Sequence, residues 1–149
     1  MKFWVLIPAR AGSTRLPNKP LLDIAGKPMI AHVIETAKKS GANKIIVATD
    51  DQRVKSVSET FGATAIMTSV HHESGSDRIA EVAKILDAPD NQIIVNLQGD
   101  EPLMPPGIIK KVAKLKEENK KAHVTTVATQ VENFNEILDP NCVKVILNQ

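Results

Sequence analysis

Three cationic side chains follow the first apolar run of the sequence at close spacing. The run at 3–7 leads into the segment PARAGSTRLPNKPL at 8–21, which carries Arg10, Arg15 and Lys19. The small residues between these cations offer backbone N–H groups and hydroxyls, and guanidinium groups can fork onto phosphate oxygens. The segment therefore predicts a loop that binds a phosphorylated ligand.

Two common phosphate-binding motifs are missing from the sequence. It contains neither G-x-x-x-x-G-K-[ST] nor G-x-G-x-x-G, so a Walker A loop and a dinucleotide fingerprint are both excluded. Pro17 and Pro20 stiffen the segment, which reduces the entropy lost when a ligand orders it. On these residues alone, a solvated basic surface loop is the alternative interpretation.

Three further polar clusters follow apolar runs. They are TDDQ at 49–52, HHESGSDR at 71–78 and QGDEP at 98–102. In the first of them, Asp51 is a candidate helix cap and Asp50 a candidate pocket residue. A carboxylate such as Asp100 beside a triphosphate is a common way to hold Mg²⁺, although Gly-Asp is also good turn chemistry. Asp77 is a candidate helix N-cap, as is its neighbour Ser76, and a helix N-terminus can also bind an anion.

Several other classes of function are disfavoured. The adjacent His71 and His72 lack the i, i+4 spacing of a helical zinc pair, and the single Cys142 excludes a disulfide framework. The net charge of +2 provides no broad field for nucleic acid or a membrane surface, and the lysines of 106–121 have no interleaved aromatic residues. No segment approaches the roughly 18 apolar residues of a membrane span. These features predict a soluble, intracellular protein without nucleic-acid or membrane partners.

Strand-like and helical patterns alternate along the chain. The predicted strands are 2–8, 44–50, 63–67, 92–98, 123–129 and 143–148, and the predicted helices are 28–40, 51–61, 76–87 and 106–121. Several strands are continuous β-branched runs, as expected in a parallel sheet that is buried on both faces. The order predicts a doubly wound α/β fold, in which ligands bind at the carboxyl ends of the strands. All four polar clusters would then lie along one edge of the sheet.

The end of the sequence has an unusual arrangement. The last predicted strand runs into the C-terminus without a closing helix. We therefore expect residues 1–149 to form the nucleotide-binding portion of a single domain whose C-terminal part is missing from this chain.

Four ordered segments carry a resemblance to a known family. The sequence IPARAGSTRLPNKPL followed by DIAGKPMI looks like the N-terminal signature of sugar-activating nucleotidyltransferases, and more narrowly of the 3-deoxy-manno-octulosonate (Kdo) cytidylyltransferases. IIVATDD, HHESGSDRIAE and IIVNLQGDEPLMPP fit the same family in the same order. Two departures are Asn18, where relatives often carry Gly, and Ser76, where they often carry Thr. The resemblance implies a Rossmann-like three-layer sandwich of the nucleotide-diphospho-sugar transferase type.

The resemblance also implies an activity and a set of site residues. The reaction would transfer CMP from CTP to Kdo and release pyrophosphate, with Mg²⁺ as cofactor and Asp100 as its ligand. The implied catalytic residues are Arg10, Arg15, Lys19 and Asp100. The implied nucleotide-binding residues are Pro8, Ala9, Arg10, Ser13, Lys19, Thr49, Ser74, Arg78 and Gln98. A homodimer, a cytoplasmic location and a role in lipopolysaccharide synthesis are expected of the full-length protein.

Two alternatives to this activity stay open. One is a related cytidylyltransferase acting on another sugar acid such as sialic acid. Those enzymes typically read S-K where this chain has Ser13-Thr14-Arg15, and K-N where it has Lys19-Pro20, which favours Kdo. The other is a nucleotide-binding fragment without catalytic activity.

Overall fold

A four-stranded parallel sheet forms the centre of the computed structural model, which describes residues 1–12, 16–140 and 142–146. Its strands are β1 (Phe3–Pro8), β4 (Lys44–Thr49), β5 (Thr64–Met67) and β6 (Ile93–Asn96). A two-stranded antiparallel hairpin, β2 (Asp23–Ile24) and β3 (Lys27–Pro28), lies outside it. The order in the main sheet is β5-β4-β1-β6, so successive strands are added on one side of β1 and then on the other. The boundary between β1 and β6 is thus a topological switch point, where ligands of such sheets bind.

Helices connect the strands as the sequence pattern predicts. They are α1 (Met29–Lys39), α2 (Gln52–Thr60), α3 (Gly75–Ile85), α4 (Pro106–Glu118) and the short α5 (Phe134–Leu138). The four predicted helices are confirmed to within a few residues at each end. Among the helices of the described residues, none has the length and apolar content that crossing a bilayer requires.

Side-chain caps determine where two of these helices begin. Asp51 caps α2, as predicted, by accepting hydrogen bonds from the backbone N–H groups of Arg53 and Val54. The N-cap of α3 is Ser74, and not Ser76 or Asp77 as predicted. Asp77 is instead the N3 residue of a capping box, in which its carboxylate accepts the backbone N–H of Ser74.

The core lies on both faces of the sheet, which confirms the three-layer arrangement. Phe3, Val5 and Ile7 of β1 face one layer, where they pack with buried residues of α1, α2 and α4. Trp4 and Leu6 face the opposite layer, where they pack with residues of α3. Because alternate residues of β1 are buried in opposite layers, both faces of this strand must be apolar, and the continuous run at 3–7 meets that requirement.

The predicted strands at 123–129 and 143–148 are wrong for the residues that the structure describes. Residues 123–129 and 143–146 are irregular, and 147–148 lie outside the described residues. Val124 and Val143 are 80% and 91% exposed. A β-branched run becomes a strand only where another strand pairs with it, and no strand of the described chain does so here. The Thr125 hydroxyl donates instead to the carbonyl of Val112 at 3.1 Å.

Candidate active site

A polar cleft of about 270 Å³ lies at the carboxyl ends of β1 and β6. It brings together the predicted site residues Pro8, Ala9, Arg10, Lys19, Ser74, Arg78, Gln98 and Asp100. Pro20, His72, Glu73, Gly75 and Gly99 complete its lining. The cleft therefore lies at the edge of the sheet that the carboxyl-end rule predicts.

Two glycines allow three segments to meet at the floor of the cleft. A Cβ atom on Gly99 would lie 2.8 Å from the carbonyl oxygen of Pro8, closer than real Cβ contacts come. A Cβ on Gly75 would lie 3.1 Å from Cγ of Pro8. Glycine at these positions therefore lets the loop after β6 and the start of α3 approach the end of β1. In the sequence, Gly99 indicates only a turn, because its close approach to Pro8 depends on how the two segments pack after folding.

Lys19 and Asp100 face each other across the cleft. Lys19 begins a 3₁₀ turn (Lys19–Leu21), and its Nζ lies 2.8 Å from Oδ2 of Asp100. The two side chains are 34% and 51% exposed, so a ligand can reach both. This pair combines a cation of the kind that binds phosphate with a carboxylate of the kind that binds Mg²⁺. The charge of Asp100 also raises the pKa of its neighbour Glu101, although burial of Glu101 is the larger cause.

Arg78 is the buried cation of the cleft. Only 2% of the residue is exposed, and its guanidinium donates through Nη2 to Asp50 Oδ2 at 2.8 Å and through Nη1 to the Thr68 hydroxyl at 2.5 Å. A buried charge requires such partners, because its desolvation is otherwise uncompensated. Asp50, which the sequence placed near the pocket, lies outside the lining and holds Arg78 in place.

His72 contacts α3 through a side-chain hydrogen bond. Its Nε2 lies 2.5 Å from Oε2 of Glu81, which also accepts the backbone N–H of Ser69. The hydrogen bond from His72 is the main cause of a lowered pKa at Glu81, followed by the bond from Ser69. Among the described residues, no three His, Cys, Asp or Glu side chains are grouped as a protein metal cage would need. The single carboxylate of Asp100 fits Mg²⁺ that arrives with a triphosphate, since that ion typically uses one or two carboxylates together with phosphate oxygens.

The remaining predicted residues are Ser13, Arg15 and Thr49. Ser13 and Arg15 lie outside the described residues. Thr49 is fully buried beneath the cleft, where its hydroxyl accepts the backbone N–H of Asp51 at 3.2 Å. Thr49 therefore supports the turn after β4 and has no surface facing the cleft.

A larger groove of about 680 Å³ lies between β6, α4 and residues 123–127. It shares Gln98 with the cleft, but it includes neither Arg10 nor Lys19 nor Asp100. The smaller cleft differs in its charged lining. Arg10 and Lys19 from the segment after β1 and Arg78 from α3 line it together with Asp100 from the loop after β6.

A parallel sheet with a cationic cleft at its topological switch point defines an α/β protein of the nucleotide-binding class. The sequence matches the cytidylyltransferase family over residues 4–149, and the chain belongs to that family.

Curated relatives are similar along nearly the whole chain. A 3-deoxy-manno-octulosonate cytidylyltransferase of Thioalkalivibrio sulfidiphilus is 55% identical over 98% of this chain and 58% of its own length. One from Coxiella burnetii is 52% identical over 100% of this chain and 60% of its own length. The chain thus spans somewhat less than two thirds of the length of these relatives.

Solved structures agree with this family membership. A CMP:2-keto-3-deoxy-manno-octonic acid synthetase in complex with CTP is 46% identical, with a TM-score of 0.74, over 80% of this chain and 49% of that one. A cytidylyltransferase from Leptospira borgpetersenii is 28% identical, with a TM-score of 0.66, over 80% of this chain and 50% of that one.

Proposed function

We propose that the complete protein transfers CMP from CTP to Kdo, giving CMP-Kdo and pyrophosphate. The observation that carries the proposal is the convergence of Arg10, Lys19 and Asp100 at the switch point between β1 and β6. The names of the relatives and the CTP complex of the structural neighbour support the choice of nucleotide and acceptor.

In this reaction the anomeric hydroxyl of Kdo attacks the α-phosphorus of CTP in line. The new oxygen–phosphorus bond forms as the hydroxyl releases its proton to solvent and as the bond from the α-phosphorus to the β-phosphate oxygen breaks. The step needs charge stabilisation and positioning more than covalent help. Arg10 and Lys19 offset charge on the phosphates, and Arg15 steadies the departing pyrophosphate. When bound, Mg²⁺ supplies further charge neutralisation, and Asp100 is the cleft residue that would hold it.

The remaining features of the proposal rest on family resemblance. Arg78 and Ser74 bind the cytidine portion of the nucleotide, with Pro8, Ala9 and Gln98 completing the nucleotide contacts. The protein works as a homodimer in the cytoplasm, and its product serves lipopolysaccharide synthesis.

The decisive assay measures pyrophosphate release by the complete protein with Mg²⁺, each of the four nucleoside triphosphates, and either Kdo or sialic acid. We expect release with CTP and Kdo, and a strong decrease for Lys19→Ala. Lys55→Ala is the matched control, because Lys55 pairs with Glu59 within α2, away from the cleft. Pyrophosphate release with sialic acid but not with Kdo would refute Kdo as the acceptor. CTP binding without release for either acceptor would indicate a non-catalytic nucleotide-binding protein.

A further inference from the structure

We propose that Asp50, in the turn after β4, and Arg53, in the first turn of α2, are positioning residues that fix Ala11 and Asn18 within the cationic segment at 8–21. For its role in nucleotide binding, this inference rests on the function proposed above. Neither Asp50 nor Arg53 lines the cleft, so both act through the residues that they hold.

The first attachment is made by the carboxylate of Asp50. Its Oδ1 accepts the backbone N–H of Ala11 at 3.3 Å, and its Oδ2 accepts the guanidinium of Arg78 at 2.8 Å. One side chain therefore bridges the backbone next to Arg10 and the buried cation of the cleft. The side chain of Asp50 is only 12% exposed, so solvent competes weakly for either bond.

The second attachment is made by the guanidinium of Arg53. Its Nη2 lies 2.6 Å from the Oδ1 of Asn18 and 2.7 Å from the Oδ2 of Asp51, the N-cap of α2. Asn18 has a left-handed backbone (φ 56°), and it directly precedes Lys19. Because the cap orients Arg53 and Arg53 holds Asn18, the start of α2 determines where the turn with Lys19 begins.

A hydrogen bond joins the two attachment points to each other. The N–H of Asn18 donates to the carbonyl of Ala11 at 3.1 Å. The backbone is thus closed between Ala11 and Asn18, and Asp50 contacts the first of these residues while Arg53 contacts the second. This closure removes conformational freedom before a ligand binds, so less conformational entropy is lost on binding. Loss of the Arg53 contact should therefore weaken nucleotide binding more than it slows the chemical step.

The test uses Arg53→Ala and Asn18→Gly in the complete protein. Glycine removes the acceptor of Asn18 and still tolerates its positive φ. The side chain of Arg53 is 61% exposed, and after its removal Asp51 keeps the hydrogen bonds from the backbone N–H groups at 53 and 54. Lys55→Ala again serves as the matched control, since it removes a cation from the same helix. Asp50→Asn is less suitable, because it leaves the buried Arg78 without a charged partner.

The first measurement needs no nucleotide. Trypsin cleaves after Arg10, at the peptide bond whose N–H belongs to Ala11. We expect both variants to be cleaved there about threefold to tenfold faster than the wild type, the range of one hydrogen bond's net contribution. Cleavage no faster than in Lys55→Ala would overturn the proposal. If cleavage is faster in the two variants but the wild type does not bind CTP, the positioning role is supported and the proposed function is refuted.

The second measurement is steady-state kinetics with CTP. We expect KM to rise about threefold to tenfold in each single variant, with kcat nearly unchanged. The double variant should be no worse than either single variant, because both remove the same contact. Fully additive effects on KM, or a loss confined to kcat, would contradict a role through the Arg53–Asn18 contact.

Discussion

The ammonium of Lys19 lies 2.8 Å from the carboxylate of Asp100, so the cation after β1 and the acid after β6 are paired across the candidate active site. Both side chains are partly exposed, and exposed ion pairs contribute only about 0–1 kcal/mol to stability. Under the proposed function, a triphosphate with its metal would therefore replace this pair at little cost, because phosphate would bind the ammonium and the metal would bind the carboxylate.

Removal of the ammonium by Lys19→Ala should weaken CTP binding by the complete protein. A hydrogen bond to a charged group contributes about 1.5–3 kcal/mol, so the dissociation constant should rise roughly tenfold to a hundredfold. Calorimetric titration measures the change, with Lys55→Ala as the matched loss of a positive charge elsewhere. An unchanged CTP affinity would show that Lys19 does not contact the phosphates.

Asp100→Asn should distinguish the contribution of Mg²⁺ to CTP affinity from the contribution of the nucleotide itself. The variant should lose most of the gain in CTP affinity that Mg²⁺ confers, because a neutral amide is a poorer ligand for this ion. Without Mg²⁺, its CTP affinity should equal or exceed that of the wild type, since a negative charge near the phosphates is gone. Parallel titrations with Mg²⁺ and with a chelator test both parts. A variant with the full Mg²⁺ dependence of the wild type would exclude Asp100 as the ligand.

Gly99→Ala should destabilise the protein and distort the cleft. Its Cβ would lie 2.8 Å from the carbonyl oxygen of Pro8, and overpacking of this kind typically costs about 1–3 kcal/mol. Gly107→Ala is the matched control, because its added Cβ meets no atom within 4 Å apart from its chain neighbours and the backbone of its own helix. Urea denaturation should show a lower free energy of unfolding for Gly99→Ala alone. Equal stability of the two variants would mean that the loop after β6 adjusts without strain.

The cap of α2 should respond to pH. Hydrogen bonds from Arg53, and then from backbone N–H groups, lower the pKa of Asp51 from 3.8 to about 2. The unfolded chain thus binds this proton more tightly, so the stabilisation by Asp51 is complete above pH 3.8 and is lost as the pH falls through about 2.

Asp51→Ala should therefore lower the free energy of unfolding by about 1 kcal/mol at neutral pH, the typical effect of an N-cap. The difference from the wild type should shrink as the pH approaches 2. Asp51→Asn keeps an acceptor for the helix N–H groups, so it should lose less stability at neutral pH than Asp51→Ala. Denaturation curves at several pH values measure all three proteins, and a constant difference across the range would contradict the role of the charge.

Local sequence patterns predicted the central strands and the helices because burial on both faces of β1 and β4 requires continuous apolar runs. The same reasoning was wrong at 123–129, since strand formation depends on a pairing partner that composition does not reveal. The cleft was predictable in outline, because the carboxyl-end rule brings Lys19 and Asp100 together across 81 positions of sequence. The contacts of Asp50 with Ala11 and Arg78 could not be predicted from the sequence, because they depend on side-chain directions after folding.

The strand order has a consequence for how occupancy of the cleft affects the sheet. Within the described chain, β6 forms ladder hydrogen bonds with β1 alone, and it carries the loop that supplies Asp100. A ligand that contacts both Lys19 and Asp100 therefore links the edge strand to the centre of the sheet. By mass action, such a ligand would lower the population in which β6 has detached, so ligand binding would protect the sheet from opening at this edge.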